Sequence, residues 1–145
     1  MSRKGYIRII VLLVLLQVLF YFYIGVYNKP QVDITHVKPE IEISSDKLLA
    51  LFQSDESLAN ATYVEKTIEV EGVIKEITEN NNRYSVLLQS KNDSSHVICE
   101  MVRYKTRELK KLKPGQTVRI KGICKGFLMD VILLNCMLVK EETNE

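Results

Sequence analysis

The stretch Lys113–Gly126, KPGQTVRIKGICKG, decides the fold. Pro114-Gly115 is a turn dipeptide. Beyond it, Val118, Ile120, Gly122 and Cys124 alternate with Arg119, Lys121, Ile123 and Lys125. A period of two marks a strand with one buried face and one wet face. One strand cannot hide its apolar face alone, so the flanking segments must supply neighbours.

Upstream, Thr67–Thr78 alternates in the same way, with Ile68, Val70, Gly72 and Ile74 on one face and Glu69, Glu71, Val73 and Lys75 on the other. Gly72 is where a long first strand bends to serve both sides of a barrel. After the polar turn Glu79–Asn82, a second strand runs Arg83–Gln89, with Tyr84, Val86 and Leu88 on one face. After Lys91–Ser95, a third runs His96–Val102, with Val97, Cys99 and Met101 inward. Arg103–Leu112 is too charged for a central strand and reads as a short helix, with Leu109 and Leu112 facing in. Strand four is the opening stretch. Gly126–Asp130 turns the chain, and Val131–Val139 is strand five. Five strands with a helical insertion between the third and fourth match a mainly β, five-stranded OB-fold barrel, in which closure removes exposed edges.

A packing helix precedes the barrel. Ser44-Ser45-Asp46 is its start, with Ser45 as cap and Asp46 complementing the helix dipole. Leu48, Leu49, Leu51 and Phe52 form an apolar stripe at helical spacing that packs on the barrel, and Glu56–Asn60 adds a further turn.

Ile9–Tyr27, IIVLLVLLQVLFYFYIGVY, carries no charge. As a helix it rises about 28 Å, close to the ~30 Å hydrocarbon core. The bases before it place the N-terminus inside, and Tyr21, Tyr23 and Tyr27 suit the far headgroup region. Its exit lacks the small-residue pair of a cleavage site, so it reads as an uncleaved anchor. The expected organisation is a basic N-terminus over 1–8, a transmembrane helix over 9–27, a linker over 28–43, the barrel domain over 44–140 and a polar tail over 141–145. The domain then lies outside the cytoplasm.

The formal charge of +2 hides an asymmetry. Residues 1–30 carry Arg3, Lys4, Arg8 and Lys29 and no acid, so the remainder is net acidic. Bulk charge therefore gives nucleic-acid binding no support. His36 and His96 stand alone, and Cys99, Cys124 and Cys136 have no metal-ligand spacing. No nucleophile elbow, phosphate loop or HExxH is present, so no enzyme, cofactor or metal is expected.

The chain resembles the bacterial tRNA-anticodon-like OB-fold family, whose members are mostly uncharacterised. The resemblance spans roughly residues 43–139. It is carried by Leu48, Phe52, Asp55-Glu56 through Ala59 to Tyr63, Lys66, Val70-x-Gly72-x-Ile74 and Val97-x-Cys99. Leu112-x-x-Gly115-Gln116-x-Val118-x-Ile120-x-Gly122-x-Cys124-x-Gly126 and Val131-Ile132-Leu133-x-x-Cys136 complete it. It implies an OB barrel, and many relatives are exported or membrane-attached. The family name records a structural likeness and does not imply tRNA binding.

Two candidate features remain. Arg103, Lys105, Arg107, Lys110, Lys111, Lys113, Arg119, Lys121 and Lys125 form a basic cluster opposed only by Glu108. It reads either as a patch for nucleic acid or another polyanion, or as a solvated face balanced by Glu69 and Glu71 on the first strand. Base stacking needs aromatic platforms, and the segment offers few: Tyr84 points inward, Tyr104 is isolated and Trp is absent. The second feature is Cys124 and Cys136, which flank the last hairpin. A disulfide between them, buried free thiols and a pairing with Cys99 all stay open. The expectation is a membrane-anchored, extracytoplasmic, non-catalytic OB-fold module that binds a protein or cell-envelope ligand through its second and third strands and loops. Nucleic-acid or polyanion binding through 103–125 is the alternative.

Overall fold

The computed structural model describes residues 3–27, 33–91, 94–103 and 106–139. Tyr104, Lys105, the spacer positions 28–32 and the tail 141–145 lie outside the described residues. The chain divides into two units, Met1–Val32 and Asp33–Glu145.

The first unit is one helix, α1 (Arg3–Tyr27). It is long and apolar enough to cross a membrane, with mean hydropathy 2.7, and none of that window is buried.

In the second unit, β1 (Ile41–Ser44), α2 (Ser45–Ser54) and α3 (Glu56–Tyr63) lead into β2 (Thr67–Asn80). β3 (Arg83–Leu88), β4 (Val97–Met101), α4 (Thr106–Leu109), β5 (Thr117–Phe127) and β6 (Val131–Leu138) follow. The sheet order is β1-β2-β3-β4-β6-β5, and β2 also pairs with β5. That closes a five-stranded barrel of OB topology with a sixth strand on β2. The inward residues are those expected, since Ile68, Val70, Ile74, Tyr84, Val86, Leu88, Val97, Cys99, Ile120, Cys124 and Leu133 share one core.

β2 serves two sides because it changes partner midway. Thr67–Val73 pair with β5, and Ile74–Asn80 pair with β3 beyond an irregularity at Ile74/Glu76. Gly72 sits just before the change. A Cβ there would stand 2.7 Å from Ser45 Oγ and 3.2 Å from Leu88 Cβ, so the glycine admits the start of α2 over the bent strand.

The structure differs from the sequence reading at the cap of the packing helix. The cap of α2 is Ser44, whose side chain accepts from the Lys47 N–H. Ser45 is buried instead and donates its hydroxyl to the Gln89 carbonyl at 3.2 Å. The segment read as the end of a linker is ordered into the globular unit: Ile41–Ser44 pair in parallel with Ile68–Glu71, and Ile34 is buried with Val102 and Met137. The β-branched residues there find apolar surface on the barrel. Of the thiol arrangements the sequence leaves open, the structure has buried free thiols at Cys99, Cys124 and Cys136.

The register explains the thiols. β6 carries one extra residue against both neighbours, since Lys121 and Ile123 face Met137 and Leu134 while Cys99 and Met101 face Leu133 and Cys136. Asn135 takes a left-handed φ of 56° at this bulge. The bulge resets the alternation, so Cys136 points inward and Met137 outward. Cys124 lies opposite Leu133, and the Cys136 thiol instead shares a hydrogen bond with the Cys99 thiol. Its thiol is pushed well above its ordinary pKa by burial and then by Cys99 beside it. Burial also raises Cys124. Both thiols therefore stay protonated at neutral pH.

Cys136 Sγ occupies the space beside Gly122, where an added Cβ would fall 2.5 Å from the sulfur. Gly122→Ala is expected to destabilise the domain by about 2 kcal/mol through overpacking. Gly122→Ala with Cys136→Ala should recover much of that loss in thermal unfolding. A single variant as stable as the parent would contradict this packing.

Candidate functional site

The outer surface of the barrel is unequally used. On the β5 side it is occupied by the chain itself. Glu42 on β1 is in register with Glu69 on β2, and Glu71 is opposite Arg119 on β5. Arg119 therefore stands among three carboxylates: its Nε lies 3.1 Å from Glu69 and 3.4 Å from Glu71, and its Nη2 lies 3.5 Å from Glu42. Lys121, on an outward position, is only 9% exposed. Its ammonium donates to the carbonyls of Val37 at 2.8 Å and Thr35 at 3.3 Å. These bonds hold the segment before β1 on the barrel, where Ile34 fills the small cluster with Val102, Met137 and Ile123. Lys125 pairs with Glu65 at 2.7 Å.

Three of the nine bases in the cluster are thus engaged by groups of this chain. Arg103, Arg107, Lys110, Lys111 and Lys113 are exposed around α4 and its flanks, and Lys105 lies outside the described residues. Among the described residues, Arg119 and Lys121 are set apart from the exposed bases by these contacts.

The wall formed by β3, β4 and β6 is different. Alternation turns Arg83, Ser85 and Leu87 outward on β3, Ile98 and Glu100 outward on β4, and Ile132 outward on β6. Leu87 is in register with Ile98, and Ile98 with Ile132, so three half-buried aliphatic side chains form a row across three strands. Ser85 is opposite Glu100 one step along. No aromatic side chain stands on the outward positions of β3 and β4. Tyr84 is buried, and its phenol is raised in pKa by its hydrogen bond to Glu79, with burial adding to it.

The row has a polar neighbour on each flank, along the strand direction. Toward the β2–β3 hairpin lies an open groove of about 570 Å³ lined by Thr78, Asn80, Asn81, Arg83, Ser85, Glu100 and Arg103. Arg83 Nη1 is 3.6 Å from Glu100 Oε1. Toward the β5–β6 hairpin, Asp130 accepts the His96 backbone N–H at 2.6 Å, and His96 Nε2 lies 2.8 Å from Lys75 Nζ. That contact fixes the loop presenting Leu128 and Met129, which are 83% and 79% exposed.

Arg83, Leu87, Ile98 and Ile132 were not singled out from the sequence. The alternation marked Arg83, Leu87 and Ile98 as the outward set of strands whose inward set was assigned, whereas Ile132 lies on a strand whose faces the sequence left unassigned. Only register, however, aligns them into one row. Among the described residues, no group of three or more His, Cys, Asp or Glu side chains could hold a metal ion.

A family model described as tRNA_anti-like matches residues 1–138. Among solved structures, a lipoprotein from Klebsiella pneumoniae subsp. pneumoniae, assigned nucleic-acid binding by inference, is similar at 18% identity with a TM-score of 0.57. The match covers 69% of this chain and 92% of that one. The Stn1–Ten1 complex of S. pombe is similar at 14% identity and TM-score 0.41, over 52% of this chain and 59% of that one. The first likeness is one of fold. No curated protein matches the chain.

Arg119→Met should leave Glu69, which is 6% exposed, without its counter-ion. A cost of about 1–3 kcal/mol is expected for the stranded buried charge, read as a lower urea midpoint. Lys110→Met should leave the midpoint unchanged. Equal effects of the two would contradict the division of the cluster.

Proposed function

The chain belongs to the tRNA_anti-like family, and from that premise we propose that it is a membrane-anchored, non-catalytic binding module displayed outside the cytoplasm. Its ligand is a protein or a cell-envelope component, taken on the outer wall of β3, β4 and β6. The observation that carries this reading is the row Leu87–Ile98–Ile132. An apolar centre with a polar rim is the make-up of a recognition surface, and on the β5 side Arg119 and Lys121 are engaged by β1, β2 and the segment before β1. The anchor reading is supported by α1 and by the bases Arg3, Lys4 and Arg8 that precede its uncharged run.

A second reading, nucleic-acid or other polyanion binding, draws on the exposed Arg103, Arg107, Lys110, Lys111 and Lys113. The name of the Klebsiella lipoprotein points the same way. It ranks second because Arg119, Lys121 and Lys125 are already engaged and, among the described residues, the outward positions of β3 and β4 carry no stacking platform.

Chemical crosslinking in intact cells, followed by extraction of the anchored chain, tests the proposal. The captured partner should persist in Lys110→Glu/Lys111→Glu and fall severalfold in Ile98→Glu. Protease added to spheroplasts should cleave within 33–145. If instead the domain retains single-stranded DNA at low salt, loses it steeply as salt rises, and loses it in the charge-reversed variant, the second reading takes its place.

A further inference from the structure

We infer that the groove at the β2–β3 hairpin binds an acidic glycan, with the carboxylate or phosphate of a hydroxylated chain seated between Arg83 and Arg103. The inference rests on the wall reading above and names the ligand chemistry at one end of that wall.

The groove's lining selects by what it contains. Among the described residues it holds two guanidiniums, one carboxylate, two carboxamides and two hydroxyls, and neither an aliphatic nor an aromatic side chain. That lining suits neither an apolar anchor of a peptide nor the stacking of a nucleobase. Carboxamides and hydroxyls both donate and accept, which matches the mixed hydrogen bonding of sugar hydroxyls. The guanidinium fork matches the two oxygens of a carboxylate or phosphate.

The charges are available to a ligand. The Arg83–Glu100 contact of 3.6 Å is longer than a charge-assisted hydrogen bond of about 2.7–2.9 Å. The Arg83 and Glu100 side chains are 61% and 41% exposed. Glu100 is the single acid in the lining, so the groove is net positive. Its rim is preformed, because Asn81 and Asn82 take φ of 49° and 65° and close a tight two-residue hairpin with Asn80 opposite Arg83. The volume of about 570 Å³ is within the range of ligand clefts. The basic cluster seen in the sequence begins at Arg103 and leaves out Arg83, which stands on the neighbouring strand β3.

The full chain in nonionic detergent is titrated with an oligogalacturonate, an oligomer of glycerol phosphate and a neutral maltooligosaccharide of equal length. At least one acidic oligomer should bind, and which one separates a carboxylate from a phosphate source. The neutral one should not bind. Arg83→Ala/Arg103→Ala should weaken acidic binding at least tenfold while leaving the unfolding temperature unchanged. Equal binding of the neutral oligomer, binding unaffected by the double variant, or no binding of either acidic oligomer overturns the inference. So does retention of single-stranded DNA through the same two arginines. If the acidic oligomers fail while Ile98→Glu still abolishes partner capture in cells, the groove assignment falls and the wall reading stands.

Discussion

The rest of the structure depends on the division of β2 between two partners. One strand cannot pair along its whole length with both β3 and β5 on the same side and still close so small a barrel. It therefore bends at the irregularity just past Gly72, between Ile74 and Glu76, and gives its first half to β5 and its second to β3. The bend leaves the first half of β2 with a free edge, which β1 takes up in parallel, and room for α2 to begin over the glycine. Phe52 on α2 then stacks on Phe127 of β5 at 5.7 Å and meets Tyr63 of α3 at 6.1 Å. Barrel closure and helical packing are thus consequences of the same bend.

That geometry also separates the two halves of the outer surface. The segment 33–44 lies along the β5 side, held by two carbonyls on Lys121 and by Ile34 in its apolar cluster. Arg119 and its three glutamates sit on the same side. Charge that looks available along β5 in the sequence is part of the internal structure. Among the described residues the β3–β4–β6 wall carries no such cover, and its outward side chains grade from aliphatic at the centre to polar at the hairpin. The functional reading rests on this contrast between an engaged side and an open one.

Much of the barrel was legible because its strands obey a period of two. The inward faces of β2, β3, β4 and β5 follow from alternation alone, and the charged insert before β5 marked itself by composition. Other features had no local signal. The bulge at Asn135, which turns Cys136 toward Cys99, arises from strand pairing. β1 is a four-residue strand whose pattern is too short to separate from an extended linker, and only a partner in β2 defines it. The functional surface was partly legible in the same sense. The lysines and arginines were visible as a run, but whether each meets solvent, a carboxylate or a carbonyl is decided by residues distant in sequence, such as Glu42 and Val37. The row Leu87–Ile98–Ile132 is invisible as a sequence motif because its three members lie on three strands.

The most direct measurement is site-specific photocrosslinking in intact cells, with a benzophenone side chain placed in turn at positions 98, 132 and 110. The account predicts strong, discrete adducts from 98 and 132 and only background from 110. Adducts confined to 110, with 98 and 132 silent, would show that the exposed lysines and not the uncovered wall meet the ligand.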